Sequence, residues 1–71
     1  MEGQDREALA RRLVETYSDQ LLRLAYSLLN NVPDAQDVCQ EALLKGLDHA
    51  GSFGSREHER AWLMRVTVNL C

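Results

Sequence analysis

The sequence has little of what several structural classes require, since it contains one proline, four glycines and two cysteines in 71 residues. So few turn-forming residues exclude an all-β architecture with its many tight connections. No apolar run approaches the roughly 18 residues of a membrane span, and residues 1–5 lack the basic and then apolar pattern of an export signal. We therefore expect a protein that acts in the cytoplasm and does not enter a membrane.

The residues that hold metals or form disulfides are also few and widely spaced. Cys39 and Cys71 form no Cys-x-x-Cys pair, and adding His49 and His58 gives no spacing typical of a zinc finger or a zinc ribbon. A nucleophile elbow and a Gly-rich phosphate loop are missing as well. We therefore expect no metal, no cofactor, no disulfide and no enzymatic activity.

Positive charge is scarce, because 8 Lys and Arg face 11 Asp and Glu for a net charge of −3. The acidic excess lies in residues 31–50, whereas residues 51–71 are mildly basic. Non-specific binding to nucleic acids grows with the number of phosphates that a protein neutralises. Any contact of this chain with a nucleic acid must therefore be local and assisted by a partner.

Apolar residues are abundant, at 45%, and their spacing is helical. Between residues 5 and 30 they recur every three or four positions, which predicts a long amphipathic helix. Asn31 is a suitable N-cap and Pro33 is tolerated in a first helical turn, so a second helix should follow at once. The prediction is a single all-α domain, a small bundle of three main helices over 5–30, 32–49 and 56–71, with a loop at 51–55.

The second predicted helix has two different faces. Its inward residues are small or apolar: Ala35, Val38, Cys39, Ala42, Leu43 and Gly46. Its outward residues are mostly acidic: Asp37, Gln40, Glu41, Leu44 and Asp48. Leu44 thus lies alone in an acidic field, which indicates a docking site for a basic partner. The alternative is a solvated face with one exposed leucine, which is common on protein surfaces.

The third predicted helix carries more apolar surface than one core needs. Trp62, Leu63, Val66 and Leu70 are expected to point to the core, and Ala61, Met64 and Val68 to form a second stripe on the far side. Arg65 and Asn69 lie along one edge between the stripes. Such residues bind phosphates, base edges and unstacked bases, so the pattern favours single-stranded DNA. Alternatively, the stripe packs against residues absent from the given sequence.

Two ten-residue segments resemble a known family, the ECF-type RNA polymerase sigma factors. Residues 34–43, Asp-Ala-Gln-Asp-Val-Cys-Gln-Glu-Ala-Leu, resemble the family's Asp-Ala-Glu-Asp-x-x-Gln-Glu-x-Phe. Residues 60–69, Arg-Ala-Trp-Leu-Met-Arg-Val-Thr-Val-Asn, resemble its Arg-Ala-Trp-Leu-Tyr-Arg-Ile-Ala-x-Asn, at the expected distance after Phe53. Residues 17–29 also fit the family's first helix. The resemblance is to region 2 of the sigma-70 superfamily.

This resemblance implies a non-catalytic helical domain that docks on core RNA polymerase and recognises and helps to melt the promoter minus-ten element. The clamp helices of the polymerase β′ subunit would meet Asp37, Gln40, Glu41, Leu44 and Asp48. The minus-ten non-template strand would meet Phe53, Arg56, Arg60, Met64, Arg65 and Asn69. A flipped base is expected in a pocket near Phe53 and Met64. An anti-sigma factor is a further partner that the resemblance allows.

Three positions depart from the family pattern. Glu59 stands where an aromatic or apolar residue is common, Met64 replaces a frequent tyrosine, and Leu43 replaces a frequent phenylalanine. Residues 1–71 are expected to be a single excised region 2 domain whose DNA-reading helix is cut short and whose second sigma domain is missing. The alternative function is a helical interaction module that binds a regulator without reading DNA.

Overall fold

The computed structural model describes residues 2–71, with side chains described from Asp5 onwards. Its elements are α1 (Glu2–Leu29), α2 (Val32–Asp48), a short 3-10 helix (Ala50–Ser52) and α3 (Arg56–Leu70). The described residues contain three main helices and no strand, so the predicted all-α bundle is confirmed. The 3-10 turn occupies part of the segment that was expected to be a loop. No helix in the described range has the length and hydropathy to cross a bilayer.

The chain reverses direction between α1 and α2 within two residues. Asn30 adopts a left-handed conformation with φ of 54°, which asparagine tolerates better than most residues, and its N–H donates to the Tyr26 carbonyl at 2.8 Å. The Asn31 side chain then caps α2 by accepting from the Asp34 N–H at 3.1 Å, as the sequence predicted. This short reversal brings α2 back alongside α1.

The start of α3 is fixed by two reciprocal hydrogen bonds. Ser55 is the N-cap, and its hydroxyl oxygen accepts from the His58 N–H at 3.1 Å. The His58 Nδ1 in turn accepts from the Gly54 N–H at 3.2 Å. Both bonds satisfy backbone donors that would otherwise lack a partner at a helix start, so the loop before α3 is held in one conformation.

The core takes one stripe of residues from each helix. Its buried members are Leu13, Tyr17, Leu21 and Ala25 of α1, Ala35, Cys39, Ala42 and Gly46 of α2, and Glu59, Leu63 and Thr67 of α3. Burying a leucine of this kind stabilises the fold by about 1.5–3 kcal/mol. Small residues on α2 allow close packing, because a Cβ atom on Gly46 would lie 2.6 Å from Cδ2 of Leu63. Leu28, one of the apolar residues that recur every three or four positions in α1, is about half exposed.

The inward face of α3 was predicted only in part. Leu63 is buried as expected, but its stripe neighbours Glu59 and Thr67 are polar. The other residues expected in the core are half-buried at its margin: Trp62, Val66 and Leu70. Met64, which was expected on the far side, also packs partly buried against the core, and only Val68 and Ala61 of that outer stripe are exposed. The prediction assumed that buried positions are apolar, and α3 does not follow that rule.

Candidate docking and nucleic-acid surfaces

The outer surface of α2 is the first candidate site. We call it the α2 outer surface and define it by Asp37, Gln40, Glu41, Leu44 and Asp48. Intervals of three and four residues place these side chains on one face of the helix, and all five are exposed as the sequence predicted. Leu44 is 60% exposed, the most of any large apolar residue among those described. The structure therefore presents a prominent leucine within an acidic face.

An open apolar groove of about 270 Å³ lies between α1 and α2, next to this surface. The residues that line it are Ala10, Leu13, Val14, Gln40, Leu43, Leu44 and Leu47. Gln40 and Leu44 belong to both the groove and the α2 outer surface, while Val14 reaches the groove from α1 and is 48% exposed. Val14 could not be predicted from the pattern of α2, because it belongs to α1. Leu44 is thus the edge of a groove that an apolar side chain of a partner could fill.

The charges around Leu44 favour a basic partner. Asp37 and Glu41 are exposed carboxylates, and α2 carries a single basic residue, Lys45. Asp48 accepts a hydrogen bond from Arg6 of α1 at 2.9 Å, and both side chains of this ion pair remain well exposed. A surface of one predominant sign accelerates association with a partner of the opposite sign and limits the choice of partner.

A cluster of aromatic rings surrounds the connection between α2 and α3. Phe53 packs edge-on against His58 and Trp62, with ring centroids 5.5 Å and 5.4 Å away. His49 also lies near Trp62, at a centroid distance of 4.9 Å. Together with the bonds that cap α3, these contacts hold the connecting loop against the start of α3.

Two shallow depressions open on α3, one on each side of Ala61. The first, of about 170 Å³, is lined by His58, Ala61, Trp62 and Arg65. The second, of about 190 Å³, is lined by Glu57, Arg60, Ala61 and Met64. Phe53 supports the first depression through its contacts with His58 and Trp62, whereas Met64 lines the second. The structure thus associates the two residues expected around one pocket with two neighbouring depressions.

The other residues expected to meet DNA lie on the exposed side of α3. Arg56, Arg65 and Asn69 are exposed. Arg60 is also exposed, and its Nε donates to Oε1 of Gln20 on α1 at 3.0 Å. The exposed side of α3 therefore offers cationic groups and one amide beside two depressions, a combination that can bind phosphates and unstacked bases.

Glu59 is buried at the start of α3, and no role for it was predicted from the sequence. Arg12 donates two hydrogen bonds to its carboxylate, at 3.0 Å and 2.8 Å, and the Tyr17 hydroxyl donates a third at 2.7 Å. We call these three residues the Arg12–Tyr17–Glu59 network. In the part of the chain with described side chains, no buried polar side-chain atom lacks a partner. The one signal in the sequence was an acidic residue at a position where the family usually has an apolar one.

The network changes the acidity of its members. The hydrogen bonds from Arg12 hold the pKa of the Glu59 carboxyl below its ordinary value, more than burial raises it. Burial raises the pKa of Tyr17, and its bond to the carboxylate adds to that effect. Glu59 is therefore charged in the folded protein at neutral pH, and it joins α1 to α3 as one half of an ion pair.

The sequence of this chain matches a known protein family. The family model described as sigma-70 region 2 matches residues 13–71, which is most of the chain. The chain belongs to the sigma-70 region 2 family. The match includes the whole of α2, the connecting loop and α3, and with them every residue of the α2 outer surface and every residue expected to meet DNA. Arg12 lies one position before the match.

Curated relatives of this sigma-70 region 2 chain are named as sigma factors. The ECF RNA polymerase sigma factor SigW of Bacillus subtilis is 35% identical over 66 residues, which are 93% of this chain and 35% of the relative. SigG of Mycobacterium tuberculosis, also named an ECF sigma factor, is 33% identical over 57 residues, 80% of this chain and 15% of the relative. The predicted resemblance to ECF sigma factors is confirmed.

The chain spans about a third of the length of SigW and less of SigG. The RNA polymerase sigma-H factor of Pseudomonas aeruginosa shows the same relation, with 33% identity over 57 residues, 80% of this chain and 30% of the relative. No solved structure matches the chain significantly.

Proposed function

We propose that this sigma-70 region 2 chain docks on core RNA polymerase through the α2 outer surface and receives the minus-ten non-template strand on α3 and the preceding loop. It would act in the cytoplasm, during transcription initiation, without catalysing a reaction. The observation that carries the docking proposal is Leu44, which is 60% exposed at the edge of an apolar groove and among carboxylates. Single exposed leucines are common on protein surfaces, but the groove beside Leu44 and the carboxylates around it suit a docking site.

The proposed partner of the α2 outer surface is the coiled coil of clamp helices in the polymerase β′ subunit. An apolar side chain of that partner would enter the groove beside Leu44, while basic side chains would meet Asp37 and Glu41. Gln40 lies between the groove and the carboxylates, where its amide can bind a partner backbone or side chain. A few central residues carry most of the affinity of such an interface. An anti-sigma factor that covered the same surface would compete with polymerase.

The proposed strand-reading surface combines the depressions on α3 with its cationic edge. Extruding a base costs a few kcal/mol, and stacking on an aromatic ring recovers about 1–3 kcal/mol per base. Trp62 and Arg65 line the same depression, and Asn69 follows Arg65 one helical turn later. Because the chain has a net charge of −3, its own attraction to DNA is weak. Docking on polymerase supplies the high local concentration that DNA binding then requires.

Binding of a β′ clamp-helix peptide tests the docking proposal. We expect Leu44→Ala and Gln40→Ala each to weaken binding about tenfold, or about 1.4 kcal/mol, because each removes a central contact. Leu28→Ala is the matched control, since Leu28 is an exposed leucine that does not line the groove. Circular dichroism should show equal helicity in all variants. Wild-type affinity in both test variants would remove the proposal.

Promoter selectivity of the reconstituted holoenzyme tests the strand-reading proposal. We expect Asn69→Ala to lower the preference for the cognate minus-ten sequence about fivefold, or about 1 kcal/mol, because a base or phosphate contact is lost. Thr16→Ala, an exposed polar change on α1, is the control. The alternative, an interaction module that does not read DNA, predicts no sequence preference for the wild type at any salt concentration.

A further inference from the structure

The buried stripe of α3 is mostly polar, which is unusual for a helix that packs against a core. It consists of Glu59, Leu63 and Thr67, spaced four residues apart. The apolar residues of α3 lie on several sides of the helix, so it is much less amphipathic than α1 or α2. Besides Leu63, hydrophobic burial acts on α3 through the half-buried Trp62, Val66 and Leu70, so it constrains the rotation of α3 less tightly than a fully apolar stripe would.

An alternative rotation of α3 would also bury apolar side chains. Successive residues of an α-helix are about 100° apart, so a rotation by one position would turn the stripe of Arg60, Met64 and Val68 towards the core. In exchange, Trp62, Val66 and Leu70 would leave the margin of the core, where they are half-buried. The same rotation would take Arg60 away from the exposed side of α3. A directed interaction would distinguish the two rotations more sharply than the exchange of apolar contacts does.

The Arg12–Tyr17–Glu59 network supplies such an interaction. All three hydrogen bonds to Glu59 come from α1, at 2.7 to 3.0 Å, and they form only when Glu59 points at that helix. A buried ion pair adds little net stability, but leaving one of its members unpaired is costly, so the network distinguishes strongly between rotations. Thr67 does not constrain the rotation of α3, because its hydroxyl donates to the Leu63 carbonyl of the same helix at 2.8 Å.

We propose that Glu59 is a positioning residue: its bonds to Arg12 and Tyr17 fix the rotation of α3 and thereby determine which side chains face the promoter strand. The effect on DNA rests on the proposed function, whereas the fixed rotation does not. Glu59 stands at a position where the family commonly has an aromatic or apolar residue, so this chain fixes α3 with a polar contact in place of an apolar one.

The double variant Arg12→Leu/Glu59→Leu tests the proposal, since it removes both charges together and leaves neither one unpaired. We expect it to fold with a thermal midpoint near that of the wild type, because the lost partner of the Tyr17 hydroxyl offsets the gain from removing the ion pair. In amide NMR spectra of the chain, the resonances of residues 60–70 should split or move, while those of the α2 outer surface stay in place. In reconstituted holoenzyme, discrimination for the minus-ten sequence should fall at least tenfold, with clamp-helix affinity within twofold of the wild type.

A network that only stabilised the fold would give a different result. It predicts a lower thermal midpoint, one set of native-like α3 resonances and unchanged discrimination. The proposal is overturned if the double variant shows native-like α3 resonances and wild-type discrimination. Should the double variant not fold, Tyr17→Phe decides, because it removes one bond and keeps the ring. We then expect broadened α3 resonances and a twofold or greater loss of discrimination, and wild-type behaviour in both overturns the proposal.

The same measurements separate this proposal from the proposed function. If the wild-type holoenzyme has no minus-ten preference, the proposed function fails, and the NMR spectra alone decide whether Glu59 fixes the rotation of α3. If the wild type discriminates and the double variant does so equally well, the proposed function stands and the positioning role fails.

Discussion

The two helices that carry the proposed binding surfaces are oriented by different interactions. In α2 the buried residues are all small, and the α2 outer surface is polar except for Leu44. In α3 two of the three buried residues, Glu59 and Thr67, are polar, while Val68 is half exposed. Close packing of small residues thus orients α2, whereas in α3 directed hydrogen bonds act together with Leu63 and the half-buried apolar residues. A change inside the bundle should therefore affect the outer surface of α3 more than that of α2.

Truncating one buried carboxylate should have the largest effect on stability. We expect Glu59→Ala to lower the free energy of unfolding by about 2–3 kcal/mol, because Arg12 and the Tyr17 hydroxyl lose their partner. Glu41→Ala on the α2 outer surface is the matched control and should change it by less than about 0.5 kcal/mol. Urea unfolding measures both values. Equal losses of unfolding free energy would show that the buried carboxylate of α3 contributes no more to stability than an exposed carboxylate of α2.

Acid should weaken the same network, by less than truncation because a protonated carboxyl keeps its volume. Hydrogen bonds from Arg12 hold the pKa of Glu59 below its ordinary value in the folded protein. The unfolded chain therefore binds the proton more readily, so the contribution of Glu59 is complete above its unfolded pKa, about 4.3, and is lost as pH falls through the lower folded pKa. Between pH 6 and pH 3 the wild type should lose more stability than Glu59→Gln. Parallel pH curves would contradict this expectation.

The contact between α2 and α3 at Gly46 should tolerate little added volume. A Cβ atom there would lie 2.6 Å from Cδ2 of the fully buried Leu63. Overpacking costs about 1–3 kcal/mol and the gain in helix propensity returns about 1 kcal/mol, so Gly46→Ala should destabilise by about 1 kcal/mol. Gly51→Ala is the control, because a Cβ atom at that position meets open space. Thermal midpoints that rise for both variants would show that Leu63 moves aside freely.

The fold could be predicted from the sequence wherever buried positions are apolar or small. Helical spacing gave α2 within one residue of its observed end and all four of its buried residues. The same reasoning misplaced Met64 and missed the burial of Glu59 and Thr67. Glu59 can be buried because it pairs with Arg12. This partner lies 47 positions away, on another helix. Periodicity within one helix contains no information about such a partner.

The candidate sites also differ in how much of each could be predicted from the sequence. The five residues of the α2 outer surface belong to one helix, so their common face followed from their spacing. The groove beside them needs Val14 of α1, which only the packing of the two helices brings near Leu44. The residues proposed to meet DNA came from the resemblance to sigma factors, and their contacts remain predictions. Neither spacing nor resemblance indicated that Met64 would line a depression that Phe53 does not line.

The smallest expected effect concerns the exposed ion pair between Arg6 and Asp48. Both side chains are more than half exposed, so Arg6→Ala should change the free energy of unfolding by less than about 0.5 kcal/mol. The change frees the Asp48 carboxylate and makes the α2 outer surface more negative. Because the proposed partner is basic, clamp-helix affinity at low salt should stay equal or rise slightly, and the difference should vanish at high salt. A loss of affinity would mean that Arg6 itself contacts the partner, and that the docking surface extends onto α1 beyond the groove.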